Sequence, residues 1–207
     1  MQKTAYKAAR EEALAASKVY ASLATLFAAE PTDQAVQGVM DVARILDAHW
    51  AEEIHLDSLR ARYADRFIVP SSVHYVPLSE NCVRTACNQC GVLTFGQVDG
   101  PYREHVSKCY AAAGFKRLPS ACHDDSLAAE LSFMAYLAAA QANAEADDVA
   151  RAALNWQRRF LSDHLGAWVQ AAARVLLRSD DDFYAHAAAL ADAWCEIDSE
   201  RIALLAA

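Results

Sequence analysis

At 207 residues the chain is long enough to bury roughly 70% of its unfolded surface without disulfide or metal staples. Six Gly and five Pro against abundant Ala exclude a many-turned β architecture. A formal charge of −8 argues against non-specific binding to nucleic acid or an anionic membrane and suits a cationic partner. No run of about 18 apolar residues is available for a membrane span, and the first twenty residues lack the apolar core of a signal peptide. The expected location is the cytoplasm, with the six cysteines reduced.

Residues 5–29 pattern as a helix with Ala5, Ala9, Leu14, Val19, Leu23, Leu26 and Phe27 on one face. Pro31-Thr32-Asp33 breaks it and starts a second helix over about 33–49, carrying Val36, Val39, Met40, Ala43 and Leu46. Asp57 can cap a third, which presents Leu59, Tyr63 and Phe67 at spacing four. The period then stops. Residues 68–100 hold Pro70, Pro77, Gly91, Gly96 and Gly100, and loops this long are functional or disordered. Val69, Tyr75, Val76, Leu93 and Phe95 make the segment too apolar for a free linker, so it is expected to lie over the bundle and shape a groove. Gly100-Pro101 starts a helix that Gly114 ends.

Pro119–Leu137 holds the most apolar helical stretch, with Asp124, Asp125 and Ser126 as its start. Leu127, Leu131, Met134 and Ala138 recur at helical spacing, widened by Phe133 and Leu137, which predicts a central helix with an acidic mouth. Ala146-Asp147-Asp148 marks a turn. A helix through Trp156, Phe160, His164, Leu165 and Trp168 follows, with a possible break near Ser162. Arg178-Ser179-Asp180 can start the last helix, bearing Phe183, Tyr184, Leu190, Trp194 and Ile197. The expectation is one all-α helical bundle over residues 1–207, with a single long central loop at about 68–100.

Cys82, Cys87 and Cys90 have the C-x₄-C-x₂-C spacing of plant-type [2Fe–2S] ligands, with Cys109, Cys122 or His123 as conceivable fourth ligands. The turn lacks the usual glycines and zinc sites normally bring two close pairs, so no tight metal is expected there. A metal or Fe–S redox protein using these three thiols is the alternative reading. Adjacent carboxylates at Asp124 and Asp125 seldom both face a substrate, and no nucleophile accompanies them. His164, between Phe160 and Trp168 on one helical face, is expected to be a hydrogen-bonded core residue. With no phosphate-loop, dinucleotide, metalloprotease or nucleophile-elbow motif, the chain reads as a binding protein, not an enzyme.

From Tyr63 to Glu196 the pieces resemble the TorD/DmsD (NarJ-like) family of redox-enzyme maturation chaperones for molybdopterin oxidoreductases. Tyr63 and Phe67 match a Tyr-x₃-Phe helix end, and Pro77-Leu78-Ser79-Glu80 keeps the proline and glutamate of a P-P-Y-E-S loop. Tyr110, Gly114 and Phe115 match Tyr-x₃-Gly-apolar, and Asp125-Ser126-Leu127 with Glu130-Leu131-Ser132-Phe133-Met134 follows P-D-H-[IL]-x-x-E-L-x-F-M. Phe160, His164, Leu165 and Trp168 keep F-x₃-H-L-x₂-W intact, and Phe183-Tyr184 follows. The histidine of the Asp-His pair is Ser126 here, its proline is Asp124, and the loop carries three extra cysteines. The resemblance implies a non-enzymatic, cofactor-free TorD-like chaperone, a monomer or homodimer. It would bind the twin-arginine signal peptide or apo-form of a dimethyl sulfoxide reductase-class enzyme, assist cofactor insertion and delay export. The expected peptide site comprises Tyr63, Phe67, Tyr75, Pro77, Glu80, Asp124, Asp125 and Ser126. Asp124, Asp125 and Glu80 form its acidic side, and only one of the two adjacent aspartates is expected to reach inward.

Overall fold

A computed structural model describes residues 2–48, 54–90, 92–117 and 122–206, with side chains from residue 8 onward. The described residues form nine α-helices, one π-helical turn and one two-stranded sheet. The chain is 73% helical, so the all-α reading holds. In order come α1 (Gln2–Ala28), α2 (Asp33–Ile45), α3 (Leu56–Tyr63) with its π-turn Ala64–Ile68, and α4 (Glu80–Arg84). The hairpin β1 (Cys87–Gln89) and β2 (Val92–Thr94) leads to α5 (Pro101–Ala113) and α6 (Leu127–Asn143). The chain closes with α7 (Asp147–Asp163), α8 (Leu165–Ser179) and α9 (Phe183–Ala206).

The apolar stripe of α6 becomes the core. Leu127, Leu131, Phe133, Met134, Leu137 and Ala138 are all buried, because α1 lies along one side of the helix while α7 and α8 close others. α9 packs on α8, α7 and α1. The inward face of α1 is Ala13, Ala16, Tyr20, Leu23 and Phe27, at alternating spacings of three and four. Leu14, expected on that face, is exposed, as is Ile197 on α9. Ala5, Gly91, Pro119 and the end of the second predicted helix lie outside the residues whose side chains are described.

Several boundaries differ from the pattern for local reasons. His55, not Asp57, occupies the N-cap of α3, and Asp57 sits in the first turn. Val69 N–H reaches the Ala64 carbonyl at 2.9 Å, an i→i−5 bond that inserts a π-turn. This turn swings Arg66 into the protein. Its guanidinium meets both oxygens of Asp182 at 2.9 Å and donates to the carbonyls of Leu176 and Asp180. Asp182 also accepts from the backbone N–H groups of Tyr184 and Ala185 at 3.0 Å each, so α9 starts beyond the expected Arg178–Asp180. The helix through Trp156 and Trp168 is two helices, divided at His164 (φ −126°, ψ −102°), two residues past the suspected break. α5 keeps its predicted limits, with Pro101 in its first turn and Gly114 left-handed at φ 71°.

The long loop is less bare than its composition suggests. It contains α4 and the hairpin, whose strand residues are all exposed. Among the described residues no helix is long and apolar enough to cross a membrane.

Candidate functional site

Two loops meet where α6 begins. Ser79 and Ser126 pair as an isolated antiparallel bridge. Around it, Glu80 N–H donates to the Asp125 carbonyl at 2.8 Å and Leu127 N–H to the Leu78 carbonyl at 3.1 Å. Ser126 caps α6, its hydroxyl accepting from Ala129 N–H at 3.2 Å. Asp125 serves the other helix: one carboxylate oxygen accepts from the Ser79 hydroxyl at 2.7 Å and Asn81 N–H at 2.9 Å, at the start of α4. Asp125 is fully buried. Asp124 stays at the surface, taking bonds from Ser107 (2.7 Å) and Arg117 (3.0 Å). Partial burial pushes its carboxyl up, but Ser107 and Arg117 more than reverse this and hold it below the usual range.

Beside this junction lies a cleft of about 170 Å³. Tyr63, Phe67, Tyr75, Pro77 and Ser126 all line it, together with Phe27, Cys82 and Cys122. Five of the eight expected site residues therefore converge. Phe67 forms the aromatic wall, meeting Tyr63, Tyr184 and Phe27 edge-on at centroid distances of 5.3, 5.2 and 6.2 Å. Burial, with nearby Cys122 and Glu30, pushes the Tyr63 phenol up to about 12. A second cleft of about 410 Å³ shares Ala28, Cys122 and Ala128 with the first and runs between α1 and α6 over small side chains. Arg117, the partner of Asp124, lines this wider part.

Glu80 and Asp125 do not face the cleft. Glu80 is buried, paired to Arg84 at 2.7 Å and to His164 Nδ1 at 2.7 Å. His164 Nε2 in turn meets His105 Nδ1 at 2.6 Å. Burial favours neutral His164, yet Cys109 and Glu80 outweigh it and lift the imidazole to about 9. The expected hydrogen-bonded core histidine is thus observed. Behind Glu80, Glu130 is buried and accepts from Trp168 Nε1 at 2.9 Å.

The loop thiols do not converge. Cys82 is buried, Cys87 and Cys90 are exposed, and no grouping able to hold a metal contains them among the described residues. The grouping that does occur is His105, Cys109 and His164. Sequence reading missed it, since the spacing of His105 and Cys109 puts them on one face of α5 but says nothing of a partner 59 residues away. Glu30 was missed as well; its only signal is its place at the end of α1, just before Pro31.

A family model described as nitrate reductase delta subunit matches residues 27–174. The chain belongs to this family. Nitrate reductase delta subunit proteins are chaperones of molybdoenzyme maturation whose partners are molybdoenzyme catalytic subunits. No curated protein and no solved structure is a match. The delta-subunit match spans α2–α7 entire, and with them both loops that meet at α6 and the whole wall of the narrower cleft.

Proposed function

We propose that this delta-subunit-family chain is a cytoplasmic chaperone of the TorD/DmsD kind, with residues 1–207 acting as one domain. It binds the twin-arginine signal peptide of a dimethyl sulfoxide reductase-class catalytic subunit and delays export until the cofactor is inserted. The observation that carries the reading is the convergence of Tyr63, Phe67, Tyr75, Pro77 and Ser126 on one cleft that continues between α1 and α6. Such a groove suits the apolar stretch of a signal peptide. Guanidinium groups would find carboxylates at Asp124 and at Glu30, which is exposed near Tyr63. Glu80 and Asp125, both buried and engaged internally, act by holding the two loops together.

Calorimetric titration with a twin-arginine peptide tests this. Rim pairs contribute about 0–1 kcal/mol each, so Asp124→Asn with Glu30→Gln should weaken binding by up to roughly thirtyfold, and added salt should weaken it too. Replacing both peptide arginines with Gln should match the protein double variant. A folded protein that ignores the peptide, or binds it equally after both sets of changes, would overturn the proposal.

A further inference from the structure

We infer that His105, Cys109 and His164 form a three-ligand site for a borderline-soft divalent transition metal, with Zn²⁺ as the natural occupant. His105 and Cys109 stand four residues apart on α5, on one helical face. His164 faces them from the α7–α8 junction, where the helix break frees it from regular helical geometry. The three ligand atoms lie within 4.8 Å of one another. Two imidazole nitrogens and one sulfur are a donor set that zinc accepts with bonds of about 2.0–2.1 and 2.3 Å.

The surroundings are those of a built site rather than a chance cluster. His164 is buried and presents Nδ1 to the carboxylate of Glu80 at 2.7 Å. That bond places the ring proton on Nδ1, leaving the Nε2 lone pair aimed at His105 and Cys109. A carboxylate behind a ligating histidine fixes ring orientation and raises its basicity, the usual partner arrangement at zinc. Glu80 is itself anchored through its other oxygen by Arg84, which also donates to the Asp163 carbonyl at 2.9 Å. Without metal, His164 Nε2 and His105 Nδ1 sit 2.6 Å apart, a separation that requires a proton between them. Metal replaces that proton. Two bonds of about 2.05 Å at a tetrahedral angle need roughly 3.4 Å between the nitrogens, and His105, exposed on α5, has room to turn by that much.

Binding releases the Cys109 thiol proton and any proton shared by the imidazoles, and no electron moves. Three protein ligands leave a fourth position for an exogenous ligand, as in zinc sites of that ligand count. The consequence is a clamp joining α5 to the α7–α8 junction, independent of whether the groove binds a signal peptide.

The test uses the full chain, reduced and freed of metal by chelation. Zn²⁺ is titrated against a chromophoric competitor, and Co²⁺ is added in parallel to read the thiolate-to-metal charge-transfer band. One metal per chain and a cobalt band are expected. Cys109→Ser should abolish the band, and both Cys109→Ser and His105→Gln should weaken Zn²⁺ binding at least tenfold. His105 is exposed and Cys109 half-buried, and both replacements are close in size to the originals, so the fold should be retained, which circular dichroism checks. Glu80→Gln should weaken binding by about 10–100-fold. The double variant Cys87→Ser, Cys90→Ser is expected to bind as the parent does. Absence of stoichiometric binding, or binding that survives the α5 variants and disappears with the hairpin variant, would overturn the site.

Discussion

Glu130 is a fully buried carboxyl beside the junction of loops. Burial and the adjacent Glu80 push its carboxyl well above the usual range, against the pull of the Trp168 N–H. One of its oxygens has no donor among the described residues, and a proton there lets it donate towards Glu80. Folded Glu130 therefore holds a proton that unfolded Glu130 has lost. The stability it contributes is complete below about pH 4.3, where free Glu titrates, and is lost as pH rises towards the raised value. Glu130→Gln stays neutral and keeps an acceptor for Trp168. Thermal melts at pH 8 should show it about 2–4 °C above the parent, the worth of roughly 1 kcal/mol in a domain of this size. At pH 4.5 the two should nearly coincide. An equal difference at both pH values would mean Glu130 is ionised throughout.

At the scale of elements, the α7–α8 junction depends on Gly166. A Cβ there would stand 2.6 Å from the Leu161 carbonyl oxygen, backbone that cannot yield without moving α7. Gly166→Ala should cost about 1–3 kcal/mol in urea denaturation, and a neutral result would show that the junction re-forms freely. Sequence patterning placed this break only approximately, near Ser162, because Phe160, His164 and Trp168 keep spacing four straight through it. What was legible were stripes buried on one side, such as Leu127 to Ala138, and punctuation such as Pro101 and Gly114. What was not legible were charges whose partners are far along the chain. Arg66 looks like any surface arginine until Asp182 arrives 116 residues later, and Asp125 reads as a cap for α6 although it serves α4. Within the groove the aromatic and proline positions were foreseeable from local motifs, while the burial of Glu80 was not, since His164 lies 84 residues away.

Across the whole molecule, the cleft wall is tied to the last helix. Tyr63 and Phe67 rest on Tyr184, and Arg66 between them is bound to Asp182. Arg66→Met leaves Asp182 buried with Arg62, at 3.5 Å, as its remaining ion-pair neighbour among the described residues. Breaking one side of a buried pair costs about 3–5 kcal/mol. The same loss should appear as weaker binding of an apolar peptide, since Phe67 loses its support; full affinity in a destabilised Arg66→Met protein would show that the wall stands without α9.

The tie between Arg66 and Asp182 also sets a clock. A ribosome adding about 5–20 residues per second needs roughly 6–23 s to make the 116 residues that separate them. Through that interval the emerging chain carries its future groove as loose aromatic surface, exposed to any apolar segment nearby. Tyr20 waits longer still, its hydroxyl acceptor Asp198 lying 178 residues downstream. The residues that line the groove are thus translated before the helix that braces them, so a newborn molecule of this chaperone family is for some seconds in need of shelter itself.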